Sequence, residues 1–256
     1  MRFDDVVRGV AGVKWMSPDQ GRLIYDHVLA TRPDAILELG TGWGVSSAYM
    51  AAALDELGRG RVVTIDRSRS ERLPDEAVYS RLPRLRERVE LVRTPHSSYV
   101  WDLKEQVAER SDSDGTVRPL YDFCYLDGAH DFTIDGLAAV LVEKLLTPGG
   151  WLLVDDLDWT RAADPSVIVR KDLSEDELRT PHMAAVWELV VLQHPAFTQF
   201  RRDATWGWGW AQKAPGEARR LSLETSRSPG ALVVQGLREA SRAWRARRRM
   251  RPGDPN

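Results

Sequence analysis

The sequence has little of what would place the protein outside the cell or in a membrane. It has one cysteine, Cys124, so no disulfide can form within the chain. It has no apolar run of 18 residues, and its start, M-R-F-D-D-V-V-R, lacks the apolar core of a signal peptide. The formal net charge of −2 argues against a surface built for nucleic acid. These absences predict a cytoplasmic protein with no membrane or nucleic-acid partner.

What the sequence does have is an alternation of short apolar runs and helical segments over 256 residues, enough for one sizeable core. It predicts an α/β fold with one doubly wound, mostly parallel seven-stranded sheet that ends in an antiparallel hairpin. We expect this domain in residues 1–212 and a basic tail, partly helical or disordered, in 213–256. Strands are predicted at 35–39, 61–66, 88–93, 121–127, 150–155, 197–202 and 206–212, and helices at 18–30, 46–57, 74–87, 98–109, 131–146, 174–179 and 183–193.

A glycine-rich turn follows the first strand. The stretch E-L-G-T-G-W-G has a G-x-G-x-G pattern, and Val45 stands where dinucleotide-binding enzymes have a third glycine. Glu38 would repel a pyrophosphate but can accept hydrogen bonds from an ammonium group, and Asp66 ends the next strand where it can accept from ribose hydroxyls. The pattern therefore favours a nucleoside ligand with an amino-acid end, such as S-adenosylmethionine (SAM). The alternative is a purely structural turn with Asp66 as a helix cap.

Three acidic residues end two later strands. Asp127 closes Y-D-F-C-Y-L-D, and Asp155 and Asp156 close G-G-W-L-L-V-D-D. A strand–helix–strand unit brings these carboxylates to one edge of the sheet, where a divalent cation would relieve their repulsion. His130 lies three residues past Asp127 and is a candidate general base. The alternatives are helix-capping or solvated aspartates and a structural histidine.

The motifs I-L-E-L-G-T-G-W-G and L-D-G-A-H-D-F…L-L-T-P-G-G-W-L-L-V-D-D resemble those of class I SAM-dependent methyltransferases. The resemblance covers about residues 10–212 and is narrower to small-molecule O-methyltransferases with a D-G-x-H motif, including metal-dependent catechol and antibiotic-sugar enzymes. It implies a Rossmann-like fold, SAM as the cofactor, and Mg²⁺ held by Asp127, Asp155 and Asp156. It also implies that the cofactor is bound by the backbone near Met16, by Glu38, Gly40, Gly42 and Ser46 at the methionine end, by Asp66 at the ribose, by Ser97 at the adenine, and beside Asp127.

Three further features of the sequence each allow two interpretations. Trp206, Trp208 and Trp210 alternate with glycines and predict one strand face, either core packing or an aromatic wall for a substrate. Residues 157–181 form a long polar segment, either a lid or an irregular crossover. In the tail, the stripe Val233, Leu237, Ala240 and Trp244 with the arginines after it predicts a solvated helix or a dock for an anionic partner.

The leading hypothesis is a SAM-dependent O-methyltransferase that acts on a hydroxyl of a small molecule, with Mg²⁺ and His130 assisting. The acceptor expected from the resemblance is a natural-product intermediate, a sugar or a catechol, as in antibiotic biosynthesis. One alternative is a SAM-binding sensor or scaffold protein without transferase chemistry. Another is a nicotinamide-dependent reductase, which the missing third glycine disfavours. A homo-oligomer is left open.

Overall fold

A computed structural model describes residues 1–68, 70, 72–163 and 173–216. In this part of the chain, seven strands form one sheet in the order β3-β2-β1-β4-β5-β7-β6. The strands are β1 (Ala35–Leu39), β2 (Arg61–Arg67), β3 (Val89–Thr94), β4 (Tyr121–Leu126), β5 (Leu146–Val154), β6 (Phe197–Asp203) and β7 (Trp208–Lys213). β1 to β5 pair in parallel, whereas β7 pairs antiparallel with both β5 and β6. The predicted mixed sheet with a terminal antiparallel hairpin is confirmed.

The strand order determines where a ligand can bind. The chain leaves β1 toward β2 and β3 on one side, then returns to β4 on the other side of β1. The carboxyl ends of β1 and β4 therefore border the crevice at which open α/β sheets bind their ligands. The glycine turn follows β1, and Asp127 follows β4.

Eight α-helices in the described part of the chain flank the sheet. They are α1 (Phe3–Gly9), α2 (Pro18–Thr31), α3 (Val45–Leu57), α4 (Pro83–Arg86), α5 (Val100–Arg110), α6 (Phe132–Leu145), α7 (Glu175–Arg179) and α8 (His182–Val186). α2 starts as its sequence predicts, because Ser17 accepts from the Gln20 amide in a capping box and Pro18 occupies the first turn. None of the described helices has the length and apolar character needed to cross a membrane.

Two hydrophobic cores cover the two faces of the sheet. One packs α1, α2 and α3 against residues that include Phe123, Trp208 and Trp210, and the other packs α5, α6 and α8 against residues such as Leu126 and Leu152. Trp208 and Trp210 are fully buried, which supports the core interpretation of the tryptophan stripe. On the opposite face, a Cβ at Gly209 would lie 2.7 Å from the Trp187 ring, so only glycine allows this approach.

The structure corrects several predicted boundaries. The single helix expected at 74–87 is two short pieces, Asp75–Tyr79 and α4, because Pro83 forces Leu82 out of the helical region. The helix expected at 183–193 is α8 followed by a wider turn at Trp187–Val191. β5 begins at Leu146 rather than residue 150, with a register irregularity opposite Tyr121 and Phe123. Trp206 lies in the turn before β7, and α1 was not expected.

Some predictions fall outside the described residues. These are the apolar stripe and the arginine cluster of the tail, and the middle of the polar segment at 164–172. The strand β7 reaches Lys213, just past the predicted end of the domain.

Candidate active site

The turn after β1 depends on its glycines. Gly40, Gly42 and Gly44 all have positive φ angles, of 100°, 53° and 85°. A Cβ on Gly40 would lie 1.9 Å from the carbonyl oxygen of Asp127, so the ends of β1 and β4 approach more closely than any side chain allows. The first residue of the turn therefore lies directly beside the loop that follows β4.

Glu38 is fully buried beneath this turn. Its carboxylate accepts hydrogen bonds from the Ser46 hydroxyl and from the Thr64 hydroxyl, the latter at 2.5 Å. Burial raises the pKa of Glu38 to about 8, even though both hydroxyl donors favour the charged form. Glu38 can thus exchange a proton near neutral pH, and a cation close to it would hold it as a carboxylate.

The raised pKa of Glu38 predicts a stability that depends on pH. The folded protein keeps the proton up to about pH 8, whereas the unfolded chain loses it near its ordinary pKa of 4.5. The contribution of Glu38 to the free energy of unfolding is therefore greatest below the lower pKa. It falls as the pH rises toward 8, by at most about 1.4 kcal/mol per pH unit. Urea unfolding without SAM at several pH values measures this effect. As the pH rises, the free energy of unfolding of wild type should fall more steeply than that of Glu38→Gln. An equal pH dependence of the two proteins would contradict the burial argument.

Asp66 offers one free acceptor at the end of β2. Its Oδ1 atom accepts from the Arg67 amide at 2.7 Å. Its Oδ2 atom is buried and has no hydrogen-bond partner among the described residues. A buried carboxylate oxygen without a donor is costly, so this atom is suited to a ligand hydroxyl.

Two other residues predicted to bind the cofactor lie at the rim. Met16 is half-buried, and its neighbour Trp15 packs over the glycine turn, where a Cβ on Gly42 would lie 3.3 Å from its ring. Ser97 is exposed in the loop before α5. Their roles stay predictions.

Asp127, His130 and Asp156 converge at the ends of β4 and β5. One ligand atom from each lies within 4.8 Å of the others. His130 Nε2 is 2.7 Å from Asp156 Oδ2 and 3.5 Å from Asp127 Oδ1. Burial opposes a charged imidazole, but the hydrogen bonds and charges of the two aspartates outweigh it and raise the pKa of His130 to about 10. His130 is thus the cation that this acidic cluster holds at neutral pH.

Asp155 lies beside this cluster, and other side chains bind its carboxylate. Its Oδ2 atom accepts from the Tyr125 hydroxyl, and its Oδ1 atom accepts from Trp208 Nε1 and from the Asp156 amide, both at 2.6 Å. Of the three predicted metal ligands, the structure brings Asp127 and Asp156 together, with His130 rather than Asp155 as their companion. The sequence did not identify Trp208 as the partner of Asp155, because the alternation of tryptophans and glycines around Trp208 indicates only a buried strand face.

The loop of the D-G-A-H motif is held by side chains that sequence reasoning also missed. A Cβ on Gly128 would lie 2.2 Å from the Tyr99 hydroxyl, and this hydroxyl accepts from the Ala129 amide at 3.0 Å. Tyr99 in turn donates to Asp135, which accepts from the Asp131 amide at 2.7 Å. No pattern in the sequence marks Tyr99, since its position opposite the loop arises from the packing of α5 against α6.

The chain resembles known methyltransferases in family and fold. Residues 37–157, from β1 to just past the acidic pair, match the model of a family described as a methyltransferase domain. No curated protein matches the chain. Many solved structures do, and at about 20% identity they show a shared fold.

Three of these structures illustrate the likeness. An O-methyltransferase from Bacillus cereus in complex with SAH is 21% identical with a TM-score of 0.56, over 82% of this chain and 90% of that one. The O-methyltransferase TomG from Streptomyces achromogenes, in complex with SAM, is 20% identical with a TM-score of 0.53, over 83% and 89%. The SAH-bound methyltransferase PaMTH1 from Podospora anserina is 17% identical with a TM-score of 0.56, over 84% and 88%.

The family match and the fold agree on the class of the matched segment. Residues 37–157 match a methyltransferase domain, and the recognition made from the sequence motifs is confirmed at this level. The narrower grouping by the D-G-x-H motif stays a prediction.

Proposed function

We propose that the protein is a SAM-dependent O-methyltransferase that methylates a hydroxyl group of a small molecule, with a divalent cation in the acidic cluster. One observation carries the proposal. The Asp127 carbonyl lies against Gly40, so the acidic cluster begins beside the first residue of the glycine turn. A donor on the turn and an acceptor at the cluster would therefore be neighbours, which is what an in-line displacement requires.

The residues around the glycine turn fit SAM. The unpartnered Oδ2 atom of Asp66 suits a ribose hydroxyl, and the buried Glu38 suits the ammonium of the methionine end. The amino end of α3, which begins after Gly44, favours the carboxylate of the same ligand. Ser46 would act through Glu38, to which its hydroxyl donates.

The acidic cluster fits a divalent cation. Asp127 and Asp156 share one imidazolium as their counter-charge, and oxygen-rich sites of this kind suit Mg²⁺. Asp127 and Asp156 would hold the ion, and Asp155, fixed by Tyr125 and Trp208, would steady the backbone beside them. When bound, Mg²⁺ lowers the pKa of a coordinated hydroxyl and so makes it a better nucleophile.

His130 is the proposed proton acceptor for the substrate hydroxyl. A base must be neutral, and the two aspartates keep His130 protonated for as long as it alone balances their charge. Once another cation balances these carboxylates, the imidazole is free to take a proton near neutral pH. The centroid of the Trp159 ring lies 5.0 Å from that of the His130 ring, so the two rings pack together.

The acceptor is proposed as a hydroxylated natural-product intermediate, a sugar or a catechol. TomG, which shares the fold, is described as involved in tomaymycin synthesis, and this supports a role in antibiotic biosynthesis. A cytoplasmic location remains part of this proposal.

The test has a binding arm and a transfer arm. Calorimetric titration with SAM and with NADH should give binding for SAM alone. Methyl transfer from labelled SAM to a panel of catechols and hydroxylated sugars should occur with Mg²⁺ and fall to background in excess EDTA. Full activity in EDTA would refute the metal role. SAM binding without transfer to any acceptor would favour a sensor or scaffold protein.

A further inference from the structure

Arg161 lies buried behind the loop of the D-G-A-H motif. Its side chain is 8% exposed, in the short turn Arg161–Ala163 that follows the acidic pair. One guanidinium nitrogen, Nη2, donates to the carbonyl of Ala129 at 3.1 Å and to that of His130 at 3.0 Å. Arg161 therefore connects the chain after β5 to the chain after β4.

These contacts are a poor arrangement for stability alone. Burying a guanidinium is costly unless its charge and donors are satisfied. The nearest carboxylate oxygen is Asp131 Oδ2, 3.7 Å away, and Asp131 also caps α6 by accepting from the Thr133 and Ile134 amides. The Nε atom of Arg161 is buried without a hydrogen-bond partner among the described residues. A requirement of the site explains the burial better than stability does.

The requirement concerns the backbone conformation of His130. Its φ angle is 51°, in the left-handed region, which costs a non-glycine residue about 1 kcal/mol or more. This conformation directs the imidazole toward Asp127 and Asp156 and turns the carbonyl toward Arg161. Tyr99 and Asp135 hold amide groups of the same loop, whereas Arg161 holds its carbonyls.

We propose that Arg161 is a positioning residue that keeps His130 in its left-handed conformation and so sets the geometry of the Asp127–His130–Asp156 cluster. Its importance for catalysis rests on the proposed function, but the positioning itself does not. Without the guanidinium, the two carbonyls lose their buried donor, and His130 relaxes to an ordinary backbone angle that swings its ring away from Asp156.

Histidine NMR of the full chain, without metal or SAM, tests the positioning directly. The chain has five histidines, so the His130 ring signal is assigned as the one that His130→Gln removes. Arg161→Met keeps the apolar stem but removes every donor. We expect it to move the His130 ring signal by several linewidths while those of His27 and His96 stay in place. The matched control is Arg179→Met, which breaks the exposed pair of Arg179 with Glu175 and should leave the His130 signal in place.

An unmoved His130 signal in a folded Arg161→Met protein would overturn the proposal. If that variant does not fold, Arg161→Gln decides, because its amide group is shorter than the guanidinium, falls short of the two carbonyls and should move the signal in the same way. An unmoved signal in Arg161→Gln would then overturn the proposal.

Binding of Mn²⁺, followed by electron paramagnetic resonance, separates this proposal from the proposed function. Loss of an outer support of a metal site weakens metal binding by roughly tenfold or more, and we expect this for Arg161→Met. Wild type that binds no Mn²⁺ would count against the metal role, while the histidine spectra would still decide whether Arg161 positions His130. If Arg161→Met moved the His130 ring signal but kept the Mn²⁺ affinity of wild type, Arg161 would position His130 without supporting the metal site.

Discussion

Gly40→Ala is expected to abolish stable folding of the domain. The new methyl carbon would lie 1.9 Å from the Asp127 carbonyl oxygen and 2.9 Å from the Gly128 Cα, which are backbone atoms that cannot rotate away. To make room, β1 and β4 would have to separate at the centre of the sheet, where the predicted donor and acceptor sites meet. We expect a loss of more than about 4 kcal/mol, which most domains cannot sustain.

Gly58→Ala is the matched control for this substitution. Gly58 also has a positive φ, of 73°, but a Cβ there would meet nothing within 4 Å. Its cost is therefore the backbone strain alone, about 1–2 kcal/mol. Thermal melts and urea unfolding of both variants give the comparison. If the two variants lost equal stability, the close approach of β1 and β4 would be wrong.

Asp156→Asn is expected to lower methyl transfer by two orders of magnitude or more. The substitution nearly keeps the shape but removes one of the two charges that would hold the cation, and a metal contributes several kcal/mol to such a transition state. SAM affinity should change little, because Asp156 contacts His130 and lies apart from Glu38 and Asp66. Initial rates with saturating Mg²⁺, together with SAM calorimetry, provide the measurement.

The control lies two residues further along the chain. Asp158 is exposed and pairs with Arg202 at 2.7 Å, so Asp158→Asn removes the same charge outside the cluster. Equal activity of the two variants would remove Asp156 from the mechanism. Asp155 is unsuitable for this test, because its loss would leave Tyr125 and Trp208 without their buried acceptor and would confound activity with stability.

The sequence alone predicts the class of fold because its signals are local. Buried strands give apolar runs, Ser17 and Pro18 mark the start of α2, and the G-x-G-x-G turn follows its strand in the chain. Predictions from the sequence fail where the local preference of a segment is opposed by a proline within it or by pairing with a neighbouring strand. The helix expected at 74–87 breaks at Pro83, and β5 begins early, at Leu146, because this residue pairs with Tyr121 of β4 across a register shift.

The pattern of the chain by itself predicted the doubly wound sheet, the glycine turn and the gathering of Asp127, Asp155 and Asp156 at one edge with His130 nearby, since parallel strands end on the same side. Only the tertiary structure decided that Asp155 faces Tyr125 and Trp208, and that Arg161 holds the carbonyl of His130. These contacts join residues 30 to 53 positions apart. The direction of a side chain at the end of a strand depends on which neighbour supplies a donor, and no spacing along the chain encodes that neighbour.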